Sequence, residues 1–272
     1  EDTQLQVYYQ PIVDVRTGQV AKLEALVRWE HPLHGLLTPD RFIDIAETNG
    51  LIADLDNWVL RRACRDLGLL SGDGLENLII AVNCSALNLT REDLIDDVQA
   101  ALKAANVPAR RLELEVTENA LMGNISNTIG LLQQIRSLGV SLSIDDFGTG
   151  YSSLAYLKRL PLDTVKIDRS FIVDIPRSAQ DMEIVQAIIV MAHTLHLKVV
   201  TEGVETSQQK DFLTQYGCDY LQGYLISRPL PLDQVLSLVQ KLNGRKPVGV
   251  PSIEGSSVPS RGRGVWIQGP AR

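Results

Sequence analysis

Cysteine, histidine and aromatic residues are scarce in this chain: three Cys, four His and 5% Phe, Trp and Tyr among 272 residues. Cys64, Cys84 and Cys218 are odd in number and far apart, which excludes a CxxC pair and a disulfide framework and points to a reducing compartment. Long apolar runs are missing too, since none reaches the roughly 18–20 residues of a membrane span. The nearest candidate, Ile184 to Val200, is broken by Gln186, His193, His196 and Lys198, so a packed helix running into a strand is expected there. No signal peptide opens the chain, which starts Glu1-Asp2-Thr3-Gln4 and, lacking Met, is expected to be a piece of something longer. Positive charge is short: 26 Lys and Arg against 33 Asp and Glu give −7. The last 29 residues, from Gly244, hold five basic residues against Glu254 and carry +4, which leaves −11 on the body. So acidic a body speaks against binding a nucleic acid polymer, which needs a basic face. What remains is a globular composition, 44% hydrophobic and 22% charged, and neither disorder nor a collagen-like repeat fits it.

Short β-branched runs alternate with helix-period segments from Leu5 to Asn243. The runs are Leu5–Val15, Val20–Trp29, Leu78–Val82, Leu112–Val116, Val140–Ile144, Thr164–Ile167, Lys198–Thr201 and Asp219–Leu225. Helices are expected at Pro39–Thr48, Ile52–Leu70, Arg91–Ala105, Ser126–Leu138, Ser152–Leu160, Asp181–Leu195, Ser207–Tyr216 and Pro231–Leu242. Thr38-Pro39, Thr90 and Thr206-Ser207 are start signals, and Gly139 and Gly217 are stops. Eight strands with helices between them predict an α/β fold, a (β/α)₈ TIM-like barrel. An open doubly wound sheet would show a Gly-rich loop after its first strand, and none follows Val7–Val15. The first two runs are joined only by Asp14–Gln19, too short for a parallel crossover, so the first strand should be antiparallel. Residues 1–243 are thus one barrel. Residues 244–272, rich in Gly, Pro and Ser, form a flexible basic tail with no core.

Polar residues recur at the strand ends: Glu24, Asn83, Glu115, Asp145-Asp146, Lys166 with Asp168, Glu202 and Gln222. The C-terminal mouth of a barrel is where side chains from different strands converge. One carboxylate at a strand end is ordinarily a solvated group or a cap, but seven strands in register ask for another explanation. Carboxylates crowded at one mouth repel and need cations. With only oxygen ligands on offer, including the Asn83 carbonyl, hard divalent ions are favoured over zinc or copper: Mg²⁺ or Mn²⁺, and two of them. Two ions about 3.5–4 Å apart suit phosphodiester hydrolysis. Arg28 shares a strand face with Glu24 and offers a fork to phosphate, and Lys166 offers a compact ammonium to phosphate or water. Lys22 shares a face with Glu24, and Glu113 with Glu115, which predicts a charge pair in the barrel interior below the ions. His31 and His34 are expected to shape the loop after their strand, His193 and His196 to be structural, and Cys84 to be a small core residue.

These residues also carry a family resemblance. Glu24-Ala25-Leu26-Val27-Arg28-Trp29 stands with Tyr9-Gln10-Pro11, Asn83-Cys84-Ser85, Glu115-Val116-Thr117-Glu118 and Asp145-Asp146-Phe147-Gly148-Thr149-Gly150. Lys166-Ile167-Asp168, Glu202-Gly203-Val204-Glu205 and Gln222-Gly223-Tyr224 complete the set, which runs from about Gln6 to Val239. In this order they resemble the EAL domain, a bacterial phosphodiesterase of cyclic di-GMP whose barrel has an antiparallel first strand. The resemblance implies hydrolysis to linear 5′-pGpG by in-line attack of a water bridging two Mg²⁺ or Mn²⁺ ions. Glu24, Asn83, Glu115 and Asp145 would hold one ion, and Asp145, Asp146 and Glu202 the second. Lys166 would orient the water, with Glu202 as a base. Gln10, Leu26, Arg28, Asp168, Glu205 and Gln222 would contact the nucleotide. Glu118 would anchor the loop Phe147–Leu154, through which the domain would form a homodimer. A cytoplasmic location and a preceding GGDEF or sensory domain are implied as well. Two alternatives stay open: a receptor that binds cyclic di-GMP without cleaving it, and a phosphodiesterase of broader specificity.

Overall fold

In the computed structural model the described residues are 4–70, 75–122, 125–150 and 157–244. Strand β1 (Leu5–Asp14) turns back into β2 (Val20–His31) as an antiparallel pair that sets Gln10 opposite Glu24. The turn is held by Asp14, whose Oδ1 accepts from Thr17 N at 2.7 Å, and Gly18 supplies a positive φ of 69°. A short β3 (Gly35–Leu37) pairs with the far end of β2, outside the barrel. Parallel pairing then runs from β2 through β4 (Ile79–Cys84), β5 (Leu112–Thr117), β6 (Ser141–Phe147), β7 (Thr164–Ile167) and β8 (Lys198–Thr201) to β9 (Tyr220–Gln222). Antiparallel pairing of β9 with β1 closes eight strands into a barrel. The first strand is reversed against both neighbours, as the short Asp14–Gln19 connection requires.

Between the strands lie α1 (Ile43–Thr48), α2 (Ile52–Leu69), α3 (Leu94–Ala105), α4 (Glu118–Met122), α5 (Ile125–Ser137), α6 (Ala179–Thr194), α7 (Ser207–Gln215) and α8 (Leu232–Leu242). Outward strand residues such as Leu23, Ile80, Leu114, Ile144, Val165 and Val199 are buried under these helices. On α2 the buried residues Val59, Leu60, Ala63, Cys64 and Leu67 recur at helical spacing and form its inner face. Start signals fared unevenly. Thr206 caps α7 in a reciprocal box with Gln209. Thr90 does not cap α3: it closes a 3₁₀ turn, its hydroxyl on Leu87 O, and the helix begins after Asp93. The strand expected over Asp219–Leu225 is confined to Tyr220–Gln222, because Gly223 turns the chain into a loop. Most of the expected helix Ser152–Leu160, and the tail beyond Gly244, lie outside the described residues.

Inward positions are where this barrel departs from an aliphatic one. In a lower layer Lys22 Nζ bonds both Glu113 oxygens, at 2.8 and 2.6 Å, and Thr164 Oγ1 at 3.3 Å, all three buried. The charge pair expected below the mouth is therefore present. It is bidentate, which offsets part of the desolvation of two buried ions.

Candidate active site

The layer above holds the mouth. Lys166, at the end of β7 and fully buried, aims Nζ at Glu115 Oε2 (2.7 Å), Glu202 Oε1 (2.7 Å), Asp145 Oδ1 (3.2 Å) and Glu24 Oε1 (3.8 Å). These carboxylates arrive from β5, the end of β8, β6 and β2, so one ammonium gathers four strands. Burial pulls Lys166 down, but Asp145, Glu115, Glu202 and Glu24 together hold it well above the usual lysine value. Burial raises Glu115 well above the usual carboxylate range against the pull of Lys166, and raises Glu202 to about 8. Oxygens of Glu24, Glu115 and Asp145 lie within 4.8 Å of one another, in a cluster of the size a metal ion occupies. Glu115 Oε1 is buried with no hydrogen-bond partner. A cation fits both facts: the trio offers hard oxygen ligands, and an orphaned carboxylate oxygen is a costly thing to bury otherwise.

Amides complete the ring. Asn83, at the end of β4, donates to Glu24 Oε1 at 3.1 Å. Gln222 Nε2 donates to Glu24 Oε2 and to Gln10 Oε1, and Gln10 Nε2 to Ser227 O at 3.1 Å. Both donors of the Gln222 amide are thus engaged, and its buried Oε1 is left without a partner. Alternation would send Asp145 and Asp146 to opposite faces. Instead β6 slips register between Ile144 and Phe147, and Asp146 takes a left-handed φ of 53°. Half-buried, Asp146 is raised by burial and by the facing charges of Asp145 and Asp168. The following turn is pinned by Glu118, whose Oε2 accepts from Gly148 N at 2.9 Å. A Cβ on Gly150 would stand 2.7 Å from Glu118 Oε1, so the backbone passes close over that carboxyl. Residues 151–156 of this loop lie outside the described residues.

A cleft of about 220 Å³ opens beside the carboxylates, lined by Gln10, Glu24, Leu26, Glu202, Glu205 and Gln222 from the expected set. Two expected nucleotide contacts are not among its lining residues. Arg28 is buried, its Nη1 on Val27 O at 2.8 Å and its guanidinium 5.7 Å from the Tyr8 ring. Asp168 caps the 3₁₀ turn Arg169–Phe171, accepting from Ser170 N at 3.0 Å. Four lining residues were not expected: Arg169, Gly203, Gly223 and Tyr224. Arg169, Gly203 and Gly223 each adjoin an expected residue in sequence and Tyr224 lies two positions from Gln222, and that proximity was the available signal.

A (β/α)₈ barrel with one reversed strand, a ring of carboxylates around a buried lysine and a flanking cleft defines a barrel built to hold cations at its mouth. A family model described as EAL domain matches residues 1–229, and the chain belongs to that family. Over 231 residues it is 65% identical to the cyclic di-GMP phosphodiesterase NbdA of Pseudomonas aeruginosa, covering 85% of this chain and 30% of that protein. The bifunctional diguanylate cyclase/cyclic di-GMP phosphodiesterase MucR of the same organism is 47% identical over 239 residues, 88% of this chain and 35% of that one. The chain therefore spans about a third of the length of these curated relatives. A solved structure of the MucR phosphodiesterase in complex with c-di-GMP superposes with a TM-score of 0.83 at 47% identity, covering 85% of this chain and 94% of that one. Among the described residues no helix is long and apolar enough to cross a membrane.

Proposed function

We propose that this domain is a divalent-metal-dependent phosphodiesterase that opens cyclic di-GMP to linear 5′-pGpG. The observation that carries it is the buried trio Glu24, Glu115 and Asp145, with an orphaned Glu115 oxygen, beside a cleft. Its likeness to NbdA and to the c-di-GMP complex of MucR supports the choice of substrate.

Glu24, Asn83, Glu115 and Asp145 would hold one ion, and Asp145, Asp146 and Glu202 a second. Five carboxylates against the single Lys166 ammonium leave four negative charges when all are ionised, the charge that two Mg²⁺ or Mn²⁺ ions cancel. When bound, such ions supply Lewis-acid activation of water and a clamp on the phosphodiester oxygens. Lys166, held between Glu115 and Glu202, orients the attacking water by donating to its oxygen, and Glu202 accepts its proton. The water oxygen bonds to one phosphorus, the bond to the 3′ oxygen breaks, and that oxygen takes up a proton. Gln222 presents its free Oε1 to a donor on the nucleotide, while Leu26 and Glu205 line the cleft. Arg28 and Asp168 would also contact the nucleotide.

Further readings stand with this one. The domain acts in the cytoplasm as a module of a longer protein with a preceding GGDEF or sensory domain. It pairs as a homodimer through the segment after Asp146, whose entry Glu118 anchors. The deciding experiment incubates the protein with cyclic di-GMP and Mg²⁺ or Mn²⁺, with a metal-free control, and separates products by chromatography. Metal-dependent pGpG is expected. Binding without cleavage would make the domain a receptor, and cleavage of aryl phosphodiesters with no preference for cyclic di-GMP would make it a broader phosphodiesterase.

A further inference from the structure

The loop after β8 carries two cleft-lining carboxylates, Glu202 and Glu205, and they are held by different means. Glu202 is fixed through backbone and side chain alike: its N donates to Ile167 O at 3.1 Å, and its Oε1 meets Lys166 Nζ at 2.7 Å. Val204 is buried and tied to the loop after β9, with its N on Gln222 O at 3.0 Å and its O taking Leu225 N at 2.9 Å. Glu205 is exposed, and among the described residues its carboxylate makes no hydrogen bond or ion pair. What aims that carboxylate is its backbone. The N–H of that backbone is held by Gln209, whose Oε1 accepts from it at 2.8 Å.

Gln209 is buried in the first turn of α7. Its Oε1 also accepts from Thr206 N at 2.9 Å, and its Nε2 donates to Ile172 O at 2.8 Å. Two N–H donors on one side and a carbonyl on the other fix which end of the amide is which. The acceptor half closes the capping box with Thr206. A capping box needs only an acceptor there, and a glutamate would serve while adding negative charge at the positive end of the helix. What the amide adds is a donor, and that donor reaches a different loop, the turn after β7. Ile172 O also takes Ile175 N at 3.1 Å, so a carboxylate at this position would set oxygen against an occupied oxygen. The same two loops meet at Gly203, where a Cβ would stand 2.4 Å from Arg169 Cβ; its φ of 67° is one that glycine adopts without strain.

We propose that Gln209 is a positioning residue for the substrate cleft: by bonding Ile172 O and Glu205 N at once, it sets the Glu205 carboxylate at the cleft wall. It acts through Glu205 and touches no substrate itself. Because Glu202 is fixed separately, by Ile167 and Lys166, Gln209 governs binding and leaves the cleavage step to other groups. This rests on the reading of the cleft as the cyclic di-GMP site. The test is a double-mutant cycle on the affinity for cyclic di-GMP, measured by calorimetry with Ca²⁺ in place of Mg²⁺, with steady-state hydrolysis alongside. Gln209→Glu keeps the capping acceptor and loses the donor, and Gln209→Met loses both. Each is made in the wild type and in a Glu205→Ala background.

Gln209→Glu is expected to raise Kd and KM for cyclic di-GMP about 5–30-fold, the scale of one misdirected polar contact, with kcat within about three-fold. Gln209→Met should do at least as much; if stripping the cap leaves it unable to fold, Gln209→Glu carries the test. In the Glu205→Ala background Gln209→Glu should change Kd by less than about two-fold, since the side chain through which it acts is gone. An unchanged Kd in Gln209→Glu or in Glu205→Ala, or the same factor with and without Glu205, would overturn the assignment. If the wild type binds cyclic di-GMP without cleaving it, the hydrolytic reading fails while the cycle of Kd values still decides Gln209. If it does not bind cyclic di-GMP, both fall.

Discussion

Lys166 is the residue on which the charge of the mouth turns. Four carboxylates within 3.8 Å of its Nζ would repel one another strongly without it. Lys166→Ala should therefore lower turnover of cyclic di-GMP by about 10²–10³-fold or more, and Asp146→Asn should do the same, while binding stays within about ten-fold. Steady-state rates and a titration of each variant with the dinucleotide check this, and near-normal turnover in either would remove its assigned role. The thiols make a contrasting case. Burial pushes Cys64 and Cys218 up to about 12, and Cys84 further up still. At pH 8 the thiolate fraction at pKa 12 is about one in 10⁴, so Ellman's reagent should leave the native thiols untouched and titrate all three after denaturation. Rapid reaction in the native protein would contradict that. At this scale the carboxylates, Asn83 and Lys166 were legible because each lies on or just past a strand that sequence pattern alone can place. Arg169 was not, because its place in the cleft depends on Gly203 packing against it from the loop after β8. For Arg28, alternation gives the face of the strand, and the structure adds the bond of its Nη1 to Val27 O and its charge interaction with Glu24 and Tyr224.

At the scale of elements, two polar clusters fasten strands and helices together. Lys22, Glu113 and Thr164 join β2, β5 and β7 across the barrel floor. Lys22→Met leaves Glu113 buried without a partner and should cost about 3–5 kcal/mol of stability. The double variant Lys22→Met/Glu113→Leu should recover most of that loss, and urea unfolding of the three proteins measures it. Equal losses in the single and double variants would mean the pair is not coupled. Asp219, ahead of β9, takes hydrogen bonds from Lys198 Nζ (2.7 Å), His193 Nε2 (2.8 Å) and Val199 N (3.0 Å), tying β8 to α6. Burial alone would raise this carboxyl, but those donors hold it below its usual value. A depressed carboxylate contributes stability that is present above its unfolded value, about 3.9, and is lost as pH falls through the lower folded value. Asp219→Asn should thus be less stable than wild type at pH 7, with the gap closing as pH drops below about 4; a gap constant with pH would assign the effect to packing. The strands were legible because β-branched runs mark them, and the reversed first strand followed from one short connection. The short elements β3 and α4 were not, since three and five residues are too few to display a period.

For the molecule as a whole, an acidic body with its carboxylates drawn to one mouth makes ion binding a term in global stability. Ions that bind the folded barrel and not the unfolded chain stabilise it by mass action, about 2.7 kcal/mol at a hundred-fold excess over Kd. For a domain of this size that corresponds to a rise in Tm of about 5–10 °C on adding Mg²⁺ or Mn²⁺ to metal-stripped protein, reversed by EDTA. The effect should grow with pH. Glu115 and Glu202 are raised by burial, Glu202 to about 8, so near neutral pH protons occupy sites that an ion must take. Ions therefore compete with protons, and the shift in Tm should increase from pH 6 to pH 8 with protons released on binding. Glu115→Gln removes both a ligand and a titrating group, and should reduce the shift and its pH dependence together. A scan of Tm against divalent concentration at several pH values, by calorimetry, settles the matter. If Tm is indifferent to divalent ions at every pH, then Lys166 and bound protons between them neutralise the mouth, and a barrel that needs no metal to balance its charge would have none with which to cleave a phosphodiester.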